Sequence, residues 1–299
     1  MIIPEGFPKI PRDFELETQV IESSDGEHSL FLSWFKKKGV NPSKGLMVLH
    51  GQGEHGGRYA HFPHYLREDY DLILAPDLRG HGRSEGVRGH VDSFDEYLDD
   101  ALMAWNALNA RLGGSRQVDW FAHSMGGAVT LRVLQDLPDP GIRNLILSAP
   151  CLGLTVDVPV VKELAARVLA RVWGDLQMET GIDASLLSHD PAVGRAIKKD
   201  SLHHTKATPR FYLGFVDAME RVREGVVKIP PQTRVLFHLA GDDRIVSTPA
   251  SEAVFEKLEH PAKKKIVYPG LYHEIYNETD KDRVFQDLLD WVRSGRKGT

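Results

Sequence analysis

The sequence is short of several things, and each shortage removes a class of protein. It carries a single cysteine, Cys151, among 299 residues. No disulfide can close within the chain, so nothing in it calls for an oxidising compartment. No run of about eighteen apolar residues occurs, which argues against a membrane-spanning helix. The start, "MIIPEGFPKIPRDFE", is interrupted by Pro4, Pro8 and Pro11 and lacks the basic-then-apolar order of a secretory leader. It reads as an arm of the folded protein. Long blocks of one charge are also missing: 37 Lys and Arg are interleaved with 42 Asp and Glu, for a net charge of -5. "FKKKG" at Phe35–Gly39 and "KKKIV" at Lys263–Val267 are short and adjoin apolar runs. Solvated strand ends give that pattern; a nucleic-acid surface needs more, and no such partner is expected. Neither an internal repeat nor a low-complexity tract is visible. What is left is an ordinary globular composition, 41% hydrophobic and 26% charged, enough for one large core or for a core plus a small accessory domain. A cytoplasmic location is expected.

The first fifty residues read as β structure. "FELETQVIES", with Phe14, Leu16, Thr18 and Val20 alternating, and "HSLFLSWFKK" flank a "SDG" hairpin signal. "GLMVLHG" is a short apolar strand of the kind buried on both faces of a parallel sheet. Strands and helices then alternate. "DLILAPD", "VDWFAHS", "RNLILSAP", "TRVLFHLAG" and "KKIVYPG" read as strands. Ser93–Leu112 reads as a helix opened by a Ser93/Glu96 capping box, with further helices from Met125, near Ser251–Leu258 and near Asp280–Arg293. This rhythm predicts an α/β fold with a mostly parallel sheet and helices on both faces. It breaks over 151–227, which carries amphipathic helices and a His-rich polar piece. The expected division is a core made of 1–150 and 228–299, with 151–227 inserted as an all-helical cap. In "VVKELAARVLARVW" the apolar positions Val161, Leu164, Ala165, Val168, Leu169, Val172 and Trp173 form one face. Packing onto the body is expected to occupy most of it; a part facing the pocket, or a membrane surface, is the other use such a face has.

Two stretches compete for the chemistry. Gly51, Gly53 and Gly56 in "HGQGEHGG" fit the G-x-G-x-x-G of dinucleotide sites, and Asp77 stands where a ribose-binding acid would. The polar Gly57-Arg58-Tyr59 that follows is a poor helix entry for that purpose. The second stretch, Ala122-His123-Ser124-Met125-Gly126, is a nucleophile elbow running from a buried strand straight into a helix. A corner residue there holds its hydroxyl outward, small neighbours let strand and helix approach, and the N–H of Met125 is free at a helix N-terminus. Serine needs a base and the base needs a carboxylate. His273 follows the strand "KKIVY"; Asp242 and Asp243 follow "TRVLFH". Asp243, directly before Arg-Ile-Val, is preferred. The order Ser, Asp, His belongs to one large hydrolase architecture. The first loop then finds a use as an oxyanion hole, with the N–H of Gln52 beside that of Met125. The His203-His204 pair and His61 with His64 lack a third zinc ligand in a suitable context, so no metal and no cofactor is expected.

Together "HGQGEHGGRY", "APDLRGHGRSEG", "AHSMGG", "AGDDRIV" and "YHE" resemble the monoacylglycerol lipase and lysophospholipase branch of the α/β-hydrolases. The resemblance spans nearly the whole chain. It implies a Ser-His-Asp hydrolase with a helical cap and a fatty-acyl ester substrate. It also implies that Glu54 and Arg58 lie near the head-group end of the site. Arg58 could instead hold its loop by a salt bridge, and Tyr276 departs from relatives that carry a histidine three residues after the catalytic one. Cys151 and Leu152, just past a strand end, are candidates for lining the acyl channel. A short-chain carboxylesterase and a ligand-binding protein on the same scaffold are the alternatives; oligomeric state is not legible.

Overall fold

The structure, a computed structural model, describes residues 3–114, 117–137, 139–155 and 160–295, with backbone alone at 160–163. In chain order the strands Phe14–Glu22 (β1), Ser29–Lys37 (β2) and Gly45–Leu49 (β3) are followed by a short helix Phe62–Leu66 (α1) and strand Leu72–Pro76 (β4). Helix Asp95–Arg111 (α2), strand Val118–His123 (β5), helix Met125–Asp136 (α3) and strand Asn144–Ser148 (β6) come next. The chain then leaves the sheet through helix Val160–Val172 (α4), strand Met178–Glu179 (β7), helix Pro191–Lys199 (α5), strand Lys206–Ala207 (β8) and helix Pro209–Glu224 (α6). It returns as strand Arg234–Ala240 (β9), helix Thr248–Lys257 (α7), strand Lys263–Tyr268 (β10) and helix Lys281–Ser294 (α8).

Eight strands form one sheet in the order β1-β2-β4-β3-β5-β6-β9-β10. The first two lie antiparallel at one edge, and every pairing from β4 to β10 is parallel. Strand side chains alternate between two cores. Met47, Trp120, Ala122, Leu145, Leu147, Val235 and Phe237 pack under α2, α3, α6 and α7. Val48, Phe121, Ile146 and Leu236 pack on the other face against Phe62, Phe285 and Leu288. That double burial is why these strands read as unbroken apolar runs. Each fully covered Leu, Ile or Phe contributes about 1.5–3 kcal/mol. The edge strand β1 differs from its sequence pattern: Phe14 is buried, but Leu16 and Val20 face solvent. The polar face is the half-covered one, where Arg111 of α2 donates to Glu17 at 2.8 Å. The lysine triplet of β10 lies on the opposite edge, with Lys265 paired to Glu252 and Glu256. Charged edges of this kind block strand addition.

Strand order reverses between β3 and β5. Their following loops diverge there, and ligand sites form at that point in open α/β sheets. Loops after β3, β5, β9 and β10 all emerge at this end. The loop after β4 is fixed by Arg79, buried with its guanidinium on Asp100 at 2.7 and 2.9 Å and on Glu96 at 2.6 Å. This ties "APDLRGHGRSEG" to α2.

Two expectations about the stretch between β6 and β9 need correction. It is not wholly helical, since β7 and β8 form a small antiparallel ladder. Nor is the apolar face of α4 packed onto the body: Leu164 is 62%, Val168 56%, Val172 81% and Trp173 60% exposed. Buried Ala166 and half-buried Leu169 and Ala170 form the inner side, towards α6. Small residues let two helices approach closely and leave the bulky ones outside. Val161 lies outside the described side chains. Helix α6 carries the anchoring face, with Phe211, Phe215, Met219 and Val222 in the main core and Phe215 stacked on Phe94 at 5.5 Å.

Candidate active site

Strand β5 ends at His123 and α3 begins at Met125, leaving Ser124 as the whole connection. Its φ is 53° and its ψ -120°, a conformation that costs a non-glycine residue about 1–3 kcal/mol. Two bonds hold the corner: Ser124 N–H donates to Ser148 O at 3.0 Å, and Ser124 O accepts from Cys151 N–H at 2.9 Å. A Cβ at Gly126 would lie 2.6 Å from His50 O and 2.7 Å from Leu49 O. Only glycine lets the first turn of α3 press against β3 in this way.

The structure brings the Ser124 hydroxyl, His273 and Asp243 into one line. Ser124 Oγ lies 2.9 Å from His273 Nε2, and His273 Nδ1 lies 2.7 Å from Asp243 Oδ2. The other oxygen of Asp243 accepts the N–H groups of Ile245 and Val246 at 2.9 and 2.8 Å. Asp242 takes no part; it faces outward and pairs with Arg244 at 3.1 Å. Burial disfavours the Asp243 carboxylate, but the charge and hydrogen bond of His273 and the two backbone donors outweigh it and lower its pKa. For His273, burial opposes the imidazolium; Asp243, then Glu274 and Glu54, overcome that and raise its pKa. Ser124 is 9% and His273 3% exposed, so both side chains are almost closed off from solvent.

The loop after β3 passes directly over the serine. A Cβ on Gly51 would meet Ser124 Cβ at 2.9 Å, so a larger residue would push the loop off Ser124. His50 shapes its start. Burial holds that ring neutral, pushing its pKa down to about 3, and Nδ1 faces Gly51 O at 2.7 Å while Nε2 accepts the Leu78 N–H at 3.0 Å. Gln52 is anchored by its side chain, whose amide donates to Lys206 O at 2.6 Å. His204 N–H donates to Gly53 O at 3.0 Å, and His55 Nε2 meets Asp200 at 2.8 Å. Residues 200–206 therefore lie on this loop as a lattice of contacts. Asp77, the acid a dinucleotide site would turn to ribose, accepts instead from Gly56 N–H at 2.7 Å and Arg83 N–H at 2.8 Å and is buried.

Glu54 and Arg58 reach the back of the site. Arg58 closes in a two-pronged fork on Glu274, at 2.8 and 2.7 Å, and stands 3.3 Å from Glu54. Cys151 and Leu152 are buried beside the elbow. Cys151 Sγ is 3.7 Å from Met219 Sδ, and burial pushes its thiol up to about 12. Several residues here were not singled out from the sequence. Glu274 follows His273 directly, Asn277 Nδ2 donates to it at 2.8 Å, and His123 Nε2 stands 3.5 Å from Glu54. Fully buried Glu278 accepts from Tyr272 N–H at 2.9 Å and from His189 N–H at 3.1 Å. For Glu274, Asn277 and Glu278 the run "HEIYNE" was the only signal, two acids and an amide crowded behind the candidate base. Among the described residues no set of three His, Cys, Asp or Glu is arranged for a metal ion.

A family model, Hydrolase_4 (serine aminopeptidase, S33), matches residues 40–280. Phospholipase YtpA of Bacillus subtilis is 30% identical over 252 residues, 83% of this chain and 95% of that protein. The monoacylglycerol lipase of Mycolicibacterium smegmatis is 31% identical over 258 residues, 84% of this chain and 89% of its own. The crystal structure of the Paleococcus ferrophilus monoacylglycerol lipase superposes with a TM-score of 0.75 at 26% identity, covering 94% of this chain and 99% of that one. Elbow, sheet order and these likenesses agree: the chain belongs to the Hydrolase_4 (serine aminopeptidase, S33) family, in the monoacylglycerol-lipase-like branch of the α/β-hydrolases, and is an ester hydrolase.

Proposed function

We propose that the chain hydrolyses fatty-acyl esters, monoacylglycerols or lysophospholipids, through an acyl-enzyme on Ser124. The observation that carries this is the 2.9 Å approach of Ser124 Oγ to His273 Nε2, with Asp243 on the far nitrogen at 2.7 Å. His273 takes the hydroxyl proton as Oγ attacks the ester carbonyl. The N–H groups of Gln52 and Met125 receive the oxyanion; each such donor contributes about 3 kcal/mol of transition-state stabilisation. The intermediate collapses, His273 protonates the departing alcohol, and a water activated by the same ring releases the fatty acid. Asp243 keeps the ring in the right tautomer and balances its charge.

The division into a core of 1–150 and 228–299 and a cap of 151–227 belongs to this reading. With Ser124 and His273 nearly covered, the substrate enters by displacement of the cap, past Cys151 and Leu152. The exposed row Leu164, Val168, Val172 and Trp173, with exposed Arg171 on the same helix, suits transient contact with an anionic lipid surface where such substrates reside. No helix among the described residues is long and apolar enough to cross a membrane. Both phospholipase YtpA and the monoacylglycerol lipases support a lipid ester.

A fluorophosphonate probe and a substrate panel test the reading. The wild type is expected to label, Ser124→Ala to lose labelling, and hydrolysis to favour long-chain monoacylglycerols or lysophospholipids over p-nitrophenyl acetate. Acetate as the best substrate would point to a short-chain carboxylesterase. Absence of labelling in the wild type would point to a binding protein on this scaffold.

A further inference from the structure

We propose that Arg58 and Glu274 are positioning residues, a buried ion pair that locks the loop carrying Gln52 to the loop carrying His273. The inference rests on the hydrolytic reading of the same site. The two residues are 216 positions apart in sequence, and each sits in a segment with a distinct task. Glu274 is bonded to the residue that would take the proton. Arg58 ends the loop that would receive the oxyanion. Their two parallel N–H···O bonds, 2.8 and 2.7 Å, fix distance and orientation together, as a single contact could not. Both side chains are buried, so water does not compete for them.

The lock extends to the nucleophile. Arg58 also stands 3.3 Å from Glu54, whose oxygen accepts from Tyr59 OH at 3.2 Å. One guanidinium thus faces two carboxyls. Burial pushes Glu274 up, but the Arg58 charge and fork reverse this and bring it down to about 2; Glu54, with burial dominant, is raised. Glu54 Oε1 also stands 3.5 Å from His123 Nε2, a buried nitrogen with no hydrogen-bond partner among the described residues. The other nitrogen of His123 faces Ser148 O at 3.1 Å, the carbonyl that also accepts the Ser124 N–H. One connected set of polar groups therefore spans the base loop, the oxyanion loop and the elbow. Arg58 faces Glu274 with both arms of its fork, an arrangement that a head-group contact would have to break.

The test compares the wild type, Arg58→Lys, Glu274→Gln and Glu54→Gln/Glu274→Gln on p-nitrophenyl butyrate across pH. Rates are divided by sites titrated with fluorophosphonate, so unfolded molecules drop out. Arg58→Lys keeps the charge and loses the fork. It is expected to lower kcat about 10- to 100-fold, the scale of a misplaced catalytic group, with KM and the ascending limb of the pH profile unchanged. The groups facing His273 are Asp243 from the loop after β9, Ser124 and His123 from the elbow, Glu54 and Arg58 from the oxyanion loop, and Glu274 beside it. Removing the Glu274 carboxylate takes away negative charge, so Glu274→Gln is expected to lose kcat and to move the limb to lower pH. The double variant, which removes the carboxyl left facing Arg58, moves it further. Wild-type kcat in Arg58→Lys, a loss confined to KM, or an unmoved limb in both Gln variants would overturn the proposal. An inert, unlabelled wild type would instead sink the hydrolytic reading beneath it.

Discussion

Ser124 sits in a conformation that serine avoids, and the residues around it show what sustains that. Gly126 is the sharpest case, because the atoms a side chain would strike are backbone carbonyls of β3 and cannot swing aside. Gly126→Ala is expected to cost about 1–3 kcal/mol of unfolding free energy, the usual range for overpacking, and to displace Met125 N–H with it. Urea unfolding beside a kcat measurement checks both; an unchanged midpoint with full activity would contradict the packing described here. His273 makes a second prediction. Its pKa is raised in the fold, and only the neutral ring can accept the serine proton. The kcat/KM profile is therefore expected to rise with pH and reach half its plateau above about 6.5, the ordinary histidine value. A limb well below that value would mean that burial outweighs the Asp243 charge.

Elements were largely legible because each strand and helix of the sheet obeys one local rule. Apolar runs bounded by turn residues marked β3 to β6 and β9, and the Ser93/Glu96 signal marked the start of α2. Half of that capping box forms: Ser93 N–H donates to Glu96 at 2.8 Å, while the Glu96 N–H goes to Ser93 O and not to its hydroxyl. Strand ends then placed Ser124, Asp243 and His273 on one side of the sheet. The Arg58–Glu274 fork was beyond reach, since no local pattern links residues so distant in sequence. Helix α4 was misjudged for a related reason. A three-four apolar periodicity proves that a face exists and is silent about what covers it. Since Leu164, Val168, Val172 and Trp173 touch little of the body, changing all of them to Ser is expected to shift stability little, as surface substitutions do. If the face meets lipid, the same variant loses co-sedimentation with anionic vesicles and activity on vesicle-borne monoacylglycerol, while p-nitrophenyl butyrate turnover stays. Equal sedimentation of variant and wild type would remove the membrane role.

At the scale of the whole molecule, the buried histidines set the response to acid. Burial pushes His50, His123 and His238 down to about 3 and His61 to about 4. His81 is lowered well below its usual value by the same cause. In the unfolded chain each would take up a proton near pH 6.5. Below that value the unfolded state binds more protons than the native one, so stability falls as pH falls, until the folded-state values near 3 to 4 are reached. His273 works in the opposite sense. Its folded value is raised, so its contribution is complete below pH 6.5 and fades as pH rises through the folded value. Half-buried His203 and His204 are also lowered to about 4, so one group acts against seven, and the seven dominate on the acid side. Each fully buried ring contributes a slope of about 1.4 kcal/mol per pH unit, against a total stability of about 5–15 kcal/mol for a typical fold. Acid unfolding is therefore expected above pH 4, before most carboxylates are protonated. Urea midpoints at pH 8, 6.5, 5.5 and 5 should be nearly level over the first interval and fall steeply over the rest. A flat series down to pH 5 would mean that these rings carry protons inside the fold, and that the neutral His50 and His123 on which the loop after β3 and the elbow are built are wrongly assigned.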